Sequence, residues 1–392
     1  MNKKKLLNYS LLNSFKLNKI LSTSSIIISR TIYGLNWYTI SPLYLLIAKD
    51  LSIKYGELGL IAFSFLLGAM IFQIPAGILA AKIGNKNTAV LGMLILSLAS
   101  IFSGMSWDFI SLLIFRFILG IGAALFFSPA VHTLRLIFEK KRQGYIIGLY
   151  NAAFSIGAGI ALLTWSFVAS FTNWRIALII GGILGLILTF ENHVTIPNYR
   201  NNNRVSFSTA LKNKTIIYLG IATSGFWGLN YALTQFIDSY LIAYKGMNEN
   251  IAGMASSITL FGAIIGNIAI GEATDRIGKR KQVLLLSLIL IAIVTFLTPF
   301  IDEITLWLYV SAQGFLSGAI FALIYTITMD EINIDETLKP LAASMINAFN
   351  IGIGSLASPL YTYITSFISP EMGWFSIAIY ELALLSLYRK LL

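Results

Sequence analysis

The chain has 392 residues, of which 57% are hydrophobic and only 11% charged, against about 25% charged in ordinary globular chains. Most of its surface must therefore face hydrocarbon, which excludes a soluble domain. The net charge is +11; the absence of cysteine excludes disulfides, thiolate sites and thiol catalysis, and two histidines, His132 and His193, argue against a metal site.

Residues 1–22 open with Lys3, Lys4 and Lys5 and continue as the polar-interrupted LLNYSLLNSFKLNKIL. That pattern lacks the compact apolar core and cleavage site of a signal peptide and predicts an amphipathic helix at the cytoplasmic interface. Twelve apolar runs follow, at 24–48, 56–80, 88–105, 108–137, 144–170, 173–191, 214–243, 250–272, 282–300, 304–329, 341–368 and 372–388. Runs of about 20 residues span a bilayer as helices, since each helix satisfies its own backbone in lipid. Glycine pairs such as Gly144/Gly148 and Gly262/Gly266 predict close helix contacts.

In span one, Arg30, Tyr33, Trp37, Ser41 and Tyr44 fall on one helical face and suit a pocket. Arg30 has a second reading, in which its guanidinium snorkels to the interface. Between spans two and three stands Gly77–Lys86 (GILAAKIGNK). In span four, Arg116 lies about 12 Å below Asp108, costly unless it faces a cavity, carbonyls or a carboxylate. The two readings are a proton-linked residue of the pathway and a structural arginine on carbonyls of the first span. Residues 192–213, containing IPNYRNNNRVSFS, form a polar linker between a first half at 23–191 and a second at 214–392.

Span seven answers span one: Trp227, Tyr231, Thr234 and Asp238 share a face, flanked by Asn230 and Gln235. Asp238 reads either as a proton acceptor or as a rim carboxylate in water. Between spans eight and nine, Gly271–Arg280 (GEATDRIGKR) repeats the Gly77 segment 194 residues later, about half the chain length. In both copies a glycine, Gly84 or Gly278, suits positive φ in a tight reversal. Asp275, Arg276 and Arg280 can form a switchable ion-pair set. Glu381 lies in mid-span twelve, where a carboxyl must be protonated, paired or near water. A duplicated bundle of this kind is the physical basis of alternating access.

The loop cations fix orientation. Twenty-two lysines and arginines fall on the side of the N-terminus and four, Lys49, Lys54, Arg175 and Lys245, on the other. Both termini are therefore expected in the cytoplasm of a multi-pass protein of the cell membrane. The positive charge is then explained by topology and anionic lipid head groups, without nucleic acid. No GxxxxGK[ST] phosphate loop is present, and nothing suggests an enzyme or a cofactor.

The pattern G-x-x-x-D-R-x-G-[RK]-[RK], met at Gly271, Asp275, Arg276, Gly278, Lys279 and Arg280 and degraded at Gly77, Lys82, Gly84 and Lys86, resembles the major facilitator superfamily. So does R-x-x-x-G-x-G-A at Arg116, Gly120, Gly122 and Ala123. The resemblance covers nearly the whole chain. It implies an all-α membrane protein of twelve transmembrane helices in two pseudo-symmetric six-helix bundles. It also implies a conformational switch at Gly77, Lys82, Gly84, Asp275, Arg276, Gly278 and Arg280. Ala81 stands where the family has aspartate, so the latch would rest on the second copy. Spans one and seven would line the central cavity, adding Asn151, Gln313 and Asn347 as lining residues or as interhelical glue. Glu381 would sit in a helix packed outside that cavity.

These readings converge on a monomeric secondary transporter of a small solute. Its binding residues would be Arg30, Tyr33, Trp37, Asn151, Trp227, Tyr231, Gln313 and Asn347, with protons coupled through Arg116, Asp238 or Glu381. The two arginines favour an anion. The alternatives are a drug exporter, weakened because Gly144–Gly159 lacks the proline of the family's antiporter signature, and a sensor that kept the scaffold without flux.

Overall fold

The computed structural model describes residues 3–197, 213–330 and 339–390. The described residues of the first half form α1 (Lys3–Tyr38), α2 (Tyr44–Asp50), α3 (Leu58–Ile83), α4 (Asn85–Gly104), α5 (Phe109–Ile137), α6 (Lys140–Phe171) and α7 (Trp174–Thr195). Those of the second form α8 (Lys214–Lys245), α9 (Glu249–Ile277), α10 (Arg280–Phe296), α11 (Leu306–Asp330), α12 (Lys339–Gly354), α13 (Ala357–Phe367) and α14 (Pro370–Leu385). Among the described residues, eight helices are long and apolar enough to cross a bilayer. The other four passes are α1 with α2, the 17-residue α10, α12 with α13, and the 16-residue α14.

Twelve passes put both ends of the chain on one face, the terminal face, where Ser22 Oγ donates to Thr195 O and Tyr388 OH donates to Lys281 O. The opposite end is called the far face. Residues 3–22 run into the first span without a break. The linker residues 198–212 lie outside the described residues.

The two halves keep a fixed register of 194 residues. Asp108 and Asp302 lie at the starts of α5 and α11, and their carboxylates accept the amides of Ser111 and Thr305 at 2.8 Å each. A methyl added at Gly120 would meet Phe65 O, and one at Gly314 would meet Thr259 O. Every member of these pairs stands 194 positions from its counterpart. Gly84 (φ 92°) and Gly278 (φ 69°) end α3 and α9 in backbone that side chains disfavour, which explains the glycine in each repeated loop.

Gly262 and Gly266 pack on Gly314 and Phe315 as their spacing predicts. Gly148 does not behave this way: nothing lies within 4 Å of a Cβ placed there.

Span one is broken where Pro42 removes a backbone donor and biases the preceding residue away from helix. A 3₁₀ turn at Ser41–Leu43 takes its place. That turn meets the other half: Ser41 Oγ lies 3.0 Å from Thr234 O and 2.8 Å from Gln235 O. Tyr38 bonds Thr234 at 3.1 Å, Ser257 Oγ donates to Gly159 O, and Thr362 Oγ1 donates to Gly56 O. These contacts all join the halves toward the far face. Toward the terminal face the described residues give one hydrogen bond between halves, Arg135 Nη2 to Tyr325 OH at 3.3 Å.

Candidate functional site

Two polar stripes run along α1. Ser22, Ser25, Ser29 and Asn36 tie it to α7, through Thr195 O, Asn192 and Gly181 O. The other stripe carries Arg30, Tyr33 and Trp37, all buried. Gly34 and Gly157 let α1 and α6 touch backbone to backbone, because a Cβ at Gly157 would collide with Thr31 O and one at Gly34 with Phe154 O. That close approach delivers Tyr150 and Phe154, one turn apart on α6, onto Arg30.

The Arg30 guanidinium lies 4.4 Å from the ring centre of Tyr33, 4.5 Å from Phe154, 4.7 Å from Tyr150 and 4.8 Å from Phe127. Such ring faces attract a cation. Arg30 is 6% exposed and does not snorkel to the interface; its charge is boxed by rings. Arg116 is 1% exposed and sits 5.0 Å from the Phe65 ring. Neither arginine meets a carboxylate: among the described residues the ion pair is Arg175 with Asp50, at 2.8 Å near the far face. Nε and Nη1 of both Arg30 and Arg116 are buried without a hydrogen-bond partner.

Four rings link the halves. Tyr33 and Trp37 stand 5.4 Å apart, Trp227 and Tyr231 stand 5.3 Å apart, and Trp37 meets Tyr231 edge-on at 6.5 Å. Tyr33 corresponds to Trp227 and Trp37 to Tyr231 at the 194-residue register. The repeat therefore places equivalent aromatic pairs against each other where the halves meet. Trp37 also stands edge-on to Phe65 at 4.5 Å, which connects the ring group to Arg116. Tyr44 OH donates to Gln235 Oε1 at 3.4 Å, and Gln235 Nε2 and Tyr231 OH are buried without partners. The unpartnered atoms around the rings are thus mostly donors, four of them on the two guanidinium groups, a set suited to hydrogen bonding an anion.

The structure brings Arg30, Tyr33, Trp37, Arg116, Trp227 and Tyr231 into one group and leaves other expected residues elsewhere. Asn151 is exposed; it follows Tyr150 and so points about 100° around the helix from the residue that covers Arg30. Gln313 donates to Thr295 Oγ1 at 2.8 Å and Tyr309 OH at 3.3 Å, an interhelical tie within the second half. Asn347 is half-buried on α12. Glu381 is fully buried and lies against α8, where a Cβ at Gly225 would meet its backbone. Asp238 is buried on α8 beyond the ring group, toward the far face.

Of the loop residues, Lys82 is exposed and nothing lies within 4 Å of a Cβ at Gly77. Arg280 is half-buried at the start of α10. The side chains of Asp275 and Arg276 lie outside the described residues.

Sequence reasoning missed Phe65, Phe127, Tyr150 and Phe154. The signal was local: Tyr150, Phe154 and Gly157 share a face of α6 at spacings of four and three.

A helical bundle of two equivalent halves, with unpaired buried cations where they meet, defines a membrane transporter for small solutes, not an enzyme. The chain belongs to the Major Facilitator Superfamily, whose family model matches residues 26–248 and 215–391. It is similar to a hexuronate transporter of Bacillus subtilis (strain 168), 24% identical over 362 residues that cover 84% of this chain and 83% of that protein. It is also similar to a probable nitrate transporter, NarT, of Staphylococcus epidermidis, 25% identical over 88% of this chain and 89% of that protein. Among solved structures, a point mutant of the nucleoside transporter NupG shares the fold with a TM-score of 0.75 at 15% identity, over 95% of this chain and 99% of that one. An inward-facing, unoccupied bacterial homologue of the human lysosomal transporter Spinster gives 0.74 at 17% identity, over 95% and 96%.

Proposed function

We propose that this protein is a proton-coupled secondary transporter that moves a small organic anion across the cell membrane by alternating access, as a monomer with both termini in the cytoplasm. The observation that carries the reading is the pair of buried arginines without carboxylate partners. An unpaired buried charge is costly, and a bound carboxylate would neutralise it through two parallel hydrogen bonds.

Arg30 and Arg116 hold the carboxylate on this reading, and Tyr33, Trp37, Trp227 and Tyr231 pack on the body of the solute. The name of the Bacillus relative, a hexuronate transporter, favours a sugar acid over a bare inorganic anion. Rings on both sides suit the apolar faces of a pyranose, whereas nitrate needs no such walls. The repeated Gly77 and Gly271 loops act as the hinge latch on the terminal face, with Asp275, Arg276 and Arg280 as its charged part and Lys82, Gly84 and Gly278 shaping the turns.

Proteoliposomes loaded with unlabelled glucuronate and diluted into labelled glucuronate test this directly. Counterflow should appear in the wild type, be abolished in Arg30→Ala and Arg116→Ala, and be accelerated in uptake mode by an inward proton gradient. Wild-type liposomes that exchange nitrate but no hexuronate would overturn the substrate class, and equal counterflow in both variants would overturn the site.

A further inference from the structure

Beside the ring group, toward the far face, lies a cavity of about 130 Å³ lined by Ser41 and Tyr44 of the broken first span, Ser166 and Ser170 of α6, Asp238 of α8 and Glu249 of α9. It straddles the seam between the halves, next to the bonds from Ser41 to Thr234 O and Gln235 O. Asp238 is 1% exposed and its Oδ1 has no hydrogen-bond partner. At the other end, Ser170 and Glu249 are exposed, so the chamber reaches from the far surface to a sealed carboxyl. Its volume is that of several waters.

From these features we infer that Asp238 is a proton-binding site of the far-face gate: closing the seam over this carboxyl takes up one proton, delivered from the far face through the chamber. The inference rests on the alternating-access reading and adds to it the residue and the side on which a proton is taken up. The step is one proton transfer. A hydronium ion at the Glu249 end passes its proton along water in the chamber to the Asp238 carboxylate and is left as water, so the net change is one proton taken from the far-face solution.

The surroundings leave little alternative for the charge. Besides Asp238, the titratable groups lining the chamber are Tyr44 from α2 and Glu249 from α9; α6 contributes Ser166, Ala169 and Ser170, and the 3₁₀ turn contributes Ser41 and Pro42. No lysine, arginine or histidine lines it. A carboxylate sealed here would have no counter-charge and one like-charged neighbour, and burial of that kind favours the neutral acid. In the open gate the same group meets water and ionises. Linkage then requires that acid on the far face favours the closed seam and that alkali opens it.

The chain has no cysteine, so labels can be placed without background. Trp107→Cys and Glu303→Cys, exposed positions in opposite halves at the far face, carry spin labels in lipid nanodiscs, and their distance distribution is followed from about pH 5 to about pH 9. The closed-to-open ratio should fall by up to about tenfold per pH unit across the titration. Asp238→Asn, a neutral isostere, should hold the closed population constant over the range. Glu249→Gln, at an exposed position, removes the like charge and should move the midpoint to lower pH.

A wild-type distribution that does not change with pH overturns the inference, as does wild-type titration in Asp238→Asn or an unmoved midpoint in Glu249→Gln. Counterflow of glucuronate by the same wild-type preparation separates the two proposals. Absent counterflow with an intact titration sinks the substrate reading alone, and counterflow with a flat distance distribution sinks this inference alone.

Discussion

Removing the positive charge of Arg116 should stabilise the empty protein. Arg116 is 1% exposed, its Nε and Nη1 lack partners, and one ring, Phe65 at 5.0 Å, faces its guanidinium. Taking a charge out of water costs several kcal/mol, and a single ring contact returns about 0.5–2 kcal/mol. Arg30 carries the same cost but has four rings between 4.4 and 4.8 Å. Arg116→Met should therefore raise apo stability by about 1–4 kcal/mol, the range seen when buried charges are replaced by apolar groups of similar volume. Arg30→Met should change it little. The assay is thermal unfolding of purified protein with and without glucuronate. Wild type should gain about 2.7 kcal/mol at a ligand concentration of about 100 Kd, and both variants should gain nothing. Should Arg116→Met lose more than about 1 kcal/mol without ligand and still respond to glucuronate, the arginine is a structural pin and the argument from its unpaired charge fails.

Gly157→Val should separate α1 from α6, since a Cβ there already collides with Thr31 O. Overpacking of this kind costs about 1–3 kcal/mol, and loosening the contact of Phe154 with Arg30 should weaken anion binding in the same thermal assay. Gly148→Val, where nothing lies within 4 Å, is the control and should do neither. The far-face caps give a pH signature of their own. Backbone amides of Ser111 and Thr305, with their hydroxyls, hold the carboxyls of Asp108 and Asp302 below the usual carboxylate range. A depressed value means that each cap is in place at neutral pH and is lost as the pH falls below about 3.9 and through the folded value. The double variant Asp108→Asn and Asp302→Asn should flatten the acid limb of a stability-against-pH curve; an unchanged limb would show that the caps play no part in it.

Much of this was legible in the sequence, and the reasons are specific. Span positions follow from run length, because the bilayer imposes it, and the Gly77 and Gly271 copies fixed the repeat. The stripe from Arg30 to Trp37 was visible because helical spacing puts its members on one face. What surrounds that stripe was not visible, because Tyr150 and Phe154 reach Arg30 only through the Gly34 and Gly157 contact between helices far apart in sequence. Polar type alone left Asn151 and Gln313 open between lining the cavity and bonding between helices. Asn151 is one residue from a cage member and faces elsewhere, and Gln313 spends its amide on Thr295 and Tyr309. A polar residue in a membrane helix needs a partner, and the sequence does not say whether that partner is solute or protein.

The 194-residue register carries one further step, because it shows where the repeat has been broken. Aromatic positions are kept, Tyr33 with Trp227 and Trp37 with Tyr231, but charged positions are not. Arg30 corresponds to Ser224, Arg116 to Val310, Asp238 to Tyr44 and Glu381 to Ile187. Among the described residues both buried cations therefore belong to the first half, and both buried acids, Asp238 and Glu381, belong to the second. A duplicated bundle that kept its charges symmetric would place cation against cation and acid against acid about the axis, and each would repel its copy. Division by half avoids that repulsion and, on the function proposed above, puts the anion-binding charges on one half and the proton-binding carboxyl on the other. Neither ligand then has to touch the other, because each biases the single motion the halves share. A variant that moves a cation across the axis tests this division: Ser224→Arg in an Arg30→Ser background should restore the charge count but not glucuronate counterflow. Restored counterflow would show that the charge alone matters and that the asymmetry between halves does not.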